Sequence, residues 1–147
     1  MPETPSTPQV RPAGFFRRLG AAAYDTLLLA AILIAGTFAV LPLTDGGDIP
    51  ARWIPVFQLY LLILTGGFFL LFWLWGNQTL GMKAWHLYVR RADGQSIGYT
   101  DAMKRLMATV LTLGPVGLLS IPFDKHSRSL ADMLSATRIV RIPPPRR

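Results

Sequence analysis

Cysteine is absent from the 147 residues, and acidic side chains are scarce, at 8 Asp and Glu together. Without a thiol there is no disulfide framework, no zinc–thiolate site and no cysteine nucleophile. Charged residues of both signs make up only 16% of the chain, against roughly a quarter in an ordinary soluble domain. The two histidines, His86 and His126, lie too far apart for a metal-ligand spacing. No nucleophile motif, phosphate loop or catalytic carboxylate pair is visible. Gly76-Asn77-Gln78-Thr79-Leu80-Gly81 follows an apolar run and not a strand, so it is no nucleotide fingerprint. An enzyme is therefore not expected, and no cofactor or metal is implied.

What is abundant is apolar sequence in long runs. Leu19 to Leu43 holds one charge, Asp25, in 25 residues, and Ile54 to Trp75 holds none in 22. About 20 apolar residues suffice for a helix to cross a hydrocarbon core of about 30 Å. Neither run alternates with period 2, and neither carries the polar face of a soluble amphipathic helix. Trp53, Trp73 and Trp75 stand at the ends of the second run, where a bilayer interface favours aromatic rings. Two transmembrane helices are expected.

A third apolar segment, Leu106 to Phe123, is interrupted by Gly114-Pro115-Val116-Gly117. Proline removes a backbone donor and disfavours helix at the residue before it. The segment reads as two half-helices that dip into the membrane and return, in preference to a full span. Charge agrees with re-entry. The 15 Lys and Arg give the chain a net charge of +7. With re-entry 14 of the 15 lie on one side, all except Arg52 in the loop between the spans. The positive-inside rule makes that side the cytoplasm and places the N-terminus there. Orientation thus accounts for the basic residues, and nucleic acid is not an expected partner.

The fold class that follows is an all-α membrane protein with a small cytoplasmic β-pair. Residues 1–13, with four prolines, read as a disordered tail, 14–142 as the membrane domain and 143–147 as a second tail. Trp85 to Arg90 and Thr137 to Ile142 have strand character, and Asp93-Gly94 makes a turn after the first. Thr100 is placed to cap a helix from Asp101 that carries Arg105 toward the membrane.

Asp25 is the most informative position. An ionised carboxylate inside a span costs several kcal/mol unless paired, hydrated or protonated. Arg18 lies seven residues earlier, almost two turns, and shares its helix face. Ala31, Ala35 and Ala39 form a small-residue row of the kind that admits a neighbouring helix. Asp25 reads either as a proton or cation site, with Arg18 and Arg105 as counter-charges, or as a structural pair. Asp132, in Ser129-Leu130-Ala131-Asp132, matches a capping box. Arg105 alone reads as an interfacial arginine. Asp124-Lys125-His126-Ser127-Arg128 reads as a polar exit turn.

Three elements in order resemble the RDD family of small bacterial membrane proteins. They are Phe15-Phe16-Arg17-Arg18 with Tyr24-Asp25, then Gly76 to Met82-Lys83, then Arg128-Ser129-Leu130-Ala131-Asp132 with Thr137. The resemblance covers about residues 13 to 142 and implies that Arg18, Asp25 and Asp132 are the arginine and two aspartates of the family name. Many members carry histidine before the second aspartate, where this chain has Ala131. The resemblance implies an inner-membrane protein for which transport, of cations and protons in some members, has been suggested. Arg18, Asp25, Arg105 and Asp132 are the primary candidates, with Gln78, Lys83, Asp124 and Arg128 secondary. Two spans and a dip enclose little, so a homo-oligomer or another membrane protein is the expected partner, beside the bilayer. The alternative is a non-catalytic interaction or assembly module whose buried Arg and Asp groups hold the fold.

Overall fold

A computed structural model describes residues 10–44, 47–112, 114–124, 126 and 128–143. Residues 1–9 and 144–147 of the expected tails, and Lys125 and Ser127 of the exit turn, lie outside the described residues.

The two apolar runs form the two longest helices. Helix α1 is Phe15–Val40, closed by a 3-10 turn at Leu41–Thr44, and α2 is Ile54–Gly76. At 1.5 Å per residue their 26 and 23 residues reach roughly 39 and 35 Å, more than a hydrocarbon core requires. Both are long and apolar enough to cross a membrane. Helix α1 begins four residues before Leu19 and so places Arg18 in its first turn. Helix α2 ends at Asn77, whose left-handed φ of 53° closes the helix with an N–H bond to Trp73 O.

Short elements follow. Helix α3 is Leu80–Ala84, and its N-cap Thr79 accepts from Met82 N–H at 3.3 Å. Helix α4 is Tyr99–Leu111. Its N-cap is Gly98, because the Asp101 carboxylate reaches back to Gly98 N–H at 3.0 Å; Thr100 lies inside the helix and does not cap it. A 3-10 helix, Gly114–Phe123, comes next, and Tyr99–Leu111 and Val116–Phe123 meet at 95°. The break falls at the glycine–proline sequence, where Gly114 takes a left-handed φ of 57° at no Cβ cost. Helix α5, Leu130–Leu134, leads into the final strand.

The expected β-pair is a three-stranded antiparallel sheet in the order β1-β3-β2. Strand β2 is Leu87–Arg91 and β3 is Thr137–Arg141, with Val89 opposite Ile139. Strand β1 is Arg11–Pro12, within the segment that the sequence reads as tail. It is ordered because Ala13 N–H bonds Ile139 O at 3.2 Å and the Ala13 side chain is buried. The sheet thus gathers chain from before α1, from after α2 and from after the broken segment. Leu87, Val89 and Ile139 face inward and join Ala21, Trp73 and Met82 in one core. Trp53 and Trp75 are exposed at the ends of α2, as expected of interfacial rings, but Trp73 is buried in this core. The row Ala31, Ala35, Ala39 is exposed on the single chain. Helices α1 and α2 meet instead at Gly36, whose carbonyl accepts from Tyr60 Oη at 3.2 Å.

Candidate buried-charge site

Asp132 is the meeting point of three elements. Within α5 it completes the capping box read from the sequence. Ser129 Oγ accepts from Asp132 N–H at 3.2 Å, and Ser129 N–H donates to Asp132 Oδ2 at 3.1 Å. The carboxylate does more than cap. Arg18 of α1 donates from Nη1 to Oδ2, and Arg105 of α4 donates from Nη1 to Oδ1 at 2.7 Å. Asp132 is 1% exposed, Arg18 3% and Arg105 4%. A buried charge is tolerable only when paired and hydrogen-bonded, and here all three groups satisfy that condition together.

The arginines extend the knot. Arg18 Nε bonds Ala13 O at 3.1 Å and Nη2 bonds Ile139 O at 3.1 Å, so one guanidinium fastens α1 to β3, to the residue after β1 and to α5. Arg105 Nη1 also donates to Thr137 Oγ1, and its guanidinium carbon lies 5.3 Å from the centre of the Trp73 ring. The planar fork of Arg18 serves three separate acceptors, which an ammonium cannot match in one position. Arg18→Lys is therefore expected to lower stability by about 1–3 kcal/mol while keeping the charge, because Ala13 O loses its guanidinium donor and Ile139 O keeps only Ala13 N–H. Thermal melting in detergent checks this.

Burial pushes the Asp132 carboxyl upward, but Arg105 and Arg18, with the Ser129 N–H, outweigh it and hold it below the usual carboxylate range. The stability contributed is fully present above the unfolded carboxylate value, about 3.9, and is lost as pH falls through the lower folded value. Melting temperature should therefore show no Asp132-dependent loss from neutral pH down to about 4. Below that the wild type should fall with a slope that Asp132→Asn lacks.

Asp25 does not share this knot. The expectation that Arg18 and Arg105 are its counter-charges fails, because both turn to Asp132. Asp25 is 5% exposed and makes no salt bridge among the described residues. Its partners are neutral: Thr79 Oγ1 donates to Oδ2, and Gly81 N–H donates to Oδ1 at 2.8 Å. The start of α3 thereby wraps the carboxylate. Gly81 is required by close approach. A Cβ there would collide with Ala21 O and stand 2.9 Å from Asp25 Cγ. Gly81→Ala is expected to push α3 off α1 and cost about 1–3 kcal/mol as overpacking, read as a lower melting temperature.

The secondary candidates separate from these centres. Gln78 is half-buried, its Oε1 without a hydrogen-bond partner among the described residues, and Lys83 is exposed on α3. Asp124 accepts from Arg128 Nε at 3.2 Å and from Arg128 N–H at 2.8 Å, closing the exit turn. Thr79, Gly81, Trp73 and Thr137 were named in the sequence but not as site residues. The signal for Thr79 was present, as a threonine opening a short helix two residues before a glycine. Among the described residues no group of three His, Cys, Asp or Glu side chains could hold a metal ion.

A cavity of about 360 Å³ lies between α1, α2 and α4, bordered by Asp25, Arg18 and Arg105 and otherwise mostly by apolar side chains. No curated protein and no solved structure shows significant similarity to the chain. The family model for the RDD family matches residues 12–136, which include Arg18, Asp25, Arg105 and Asp132. With two helices able to cross a membrane and that match over most of its length, the chain belongs to the RDD family.

Proposed function

We propose that the protein works in the bacterial inner membrane as an oligomer that moves a proton or small cation past Asp25. One observation carries the reading: a carboxylate within a span borders a cavity and is held by a hydroxyl and an amide, with no cation paired to it among the described residues. Ionisable groups kept at membrane depth without a fixed counter-ion are functional by default. The N-terminus, the sheet and α5 belong on the cytoplasmic side in this reading. Re-entry of the broken segment is supported by the 95° bend, and by a sheet joining strands from before α1, after α2 and after that segment. The exposed row Ala31, Ala35, Ala39 suits a close helix contact between copies. No enzymatic step, cofactor or nucleic acid enters the proposal.

The Arg18–Asp132–Arg105 knot favours a second reading, an assembly module whose charges are all structural. Flux in liposomes separates the two. Wild type should dissipate an imposed proton or cation gradient, and Asp25→Asn should not. Equal leakage with and without wild-type protein would favour the assembly module.

A further inference from the structure

Two buried donors beside the cavity have no acceptor among the described residues. They are Trp73 Nε1–H and Arg105 Nε–H, and both residues line the cavity. The Arg105 guanidinium carbon lies 5.3 Å from the centre of the Trp73 ring, so the two donor-bearing groups are neighbours on the cavity wall. A buried unpaired donor is costly, and two on neighbouring groups point to an acceptor held in the cavity beside them. On the Arg105 side the charge has the matching sign, because two guanidiniums share the one Asp132 carboxylate. Asp25, the acidic group on the wall, has both oxygens engaged by Thr79 and Gly81.

The remaining wall is apolar, with Leu29, Phe69 and Leu106 along it. Its rim includes the exposed residues Thr26 of α1 and Val110 of α4. Thr26 belongs to the first candidate span, so the opening lies at membrane depth. What enters there comes from the bilayer. The volume of about 360 Å³ sits near the lower end of ligand pockets, about 300–1,000 Å³, which suits one chain and not two.

We infer that the cavity binds a single-chain anionic amphiphile, a fatty-acid carboxylate. The two carboxylate oxygens accept from Trp73 Nε1–H and Arg105 Nε–H, and the acyl chain lies along Leu29, Phe69 and Leu106 toward the opening. This binding does not rest on ion flux, and it is measured without it.

The test uses the full chain in zwitterionic nanodiscs with a photoactivatable palmitic acid carrying a mid-chain diazirine. Saturable labelling of α1 and α4 peptides is expected, competed by palmitate and not by hexadecanol. Trp73→Phe keeps the ring and removes one donor, and should weaken palmitate competition roughly fivefold. Leu29→Trp fills the apolar wall and should abolish specific labelling while melting like wild type. Should Trp73→Phe not fold, the acid–alcohol comparison in wild type and the Leu29→Trp result still decide. Hexadecanol competing as well as palmitate, or label spread unsaturably over the outer faces of α1 and α2, would overturn the inference. Phosphatidic acid competing better than palmitate would equally overturn it, by assigning the site to a membrane phospholipid.

Discussion

Asp132→Ala is expected to leave little folded protein, with a stability loss of at least about 3–5 kcal/mol, the cost of stripping one partner from a buried pair. Typical domains have only about 5–15 kcal/mol in total. The size of the effect comes from what remains. Arg18 and Arg105 would both stay buried, without the carboxylate that each now bonds. Arg18 would still hold Ala13 O and Ile139 O, so it could not swing to solvent without releasing the sheet. The α5 cap would be lost as well, because the same carboxylate accepts Ser129 N–H. Asp132→Asn should be milder than alanine, since an amide oxygen retains one acceptor, but both guanidiniums lose their counter-charge, which still destabilises. By contrast, Arg128→Ala at the half-exposed Asp124 pair should leave the melting temperature nearly unchanged. Thermal denaturation in one detergent, with yield of monodisperse protein as the companion readout, orders these variants.

Asp25→Asn is expected to do the opposite: abolish gradient-driven flux and leave the fold standing. The amide can be accommodated where the carboxylate was. Its oxygen can take the Gly81 N–H, and its NH2 can donate to Thr79 Oγ1, which a hydroxyl accepts as readily as it donates. No arginine loses a partner, because neither Arg18 nor Arg105 bonds Asp25. What the amide cannot do is ionise. If Asp25 carries a proton or coordinates a cation, asparagine blocks the cycle at that step, and flux should fall to the level of protein-free liposomes. Glutamate at the same position keeps the ionisable group but must fit one more methylene against Gly81, so it should retain part of the flux at reduced stability.

The spans, the break and the capping box were legible because each rests on local chemistry. Leu19–Leu43 and Ile54–Trp75 declare themselves by length without charge. Gly114-Pro115 declares its break by the loss of a donor and the freedom of glycine. Ser129 and Asp132 are three residues apart and meet in the first turn of α5. The strand pair was also visible in β-branched content, displaced by one or two residues at its ends. Which cation meets which carboxylate was not legible. Spacing puts Arg18 on the same face of α1 as Asp25, yet the partner arrives 114 residues later, when α5 returns beneath the helix. Nothing local ranks the two aspartates as acceptors. Trp73 was misplaced for a similar reason. Its position near the end of an apolar run suits an interface, and its burial comes from distant chain, the core residues Leu87, Val89 and Ile139 and Arg105 from α4. Strand β1 escaped notice because two residues carry no periodicity; it exists through the carbonyl and amide that β3 offers it.

The central claim is a division of labour: one acidic group ties the molecule together, and the other pairs with no guanidinium among the described residues and is free to work. Measuring proton and cation flux alongside thermal stability, in the same preparations of wild type, Asp25→Asn and Asp132→Asn, tests it most directly. A crossed pattern is expected, in which Asp25→Asn melts near wild type but carries no flux, while Asp132→Asn melts far lower. If Asp25→Asn melts as low as Asp132→Asn, or carries wild-type flux, the two aspartates do not divide the work in this way.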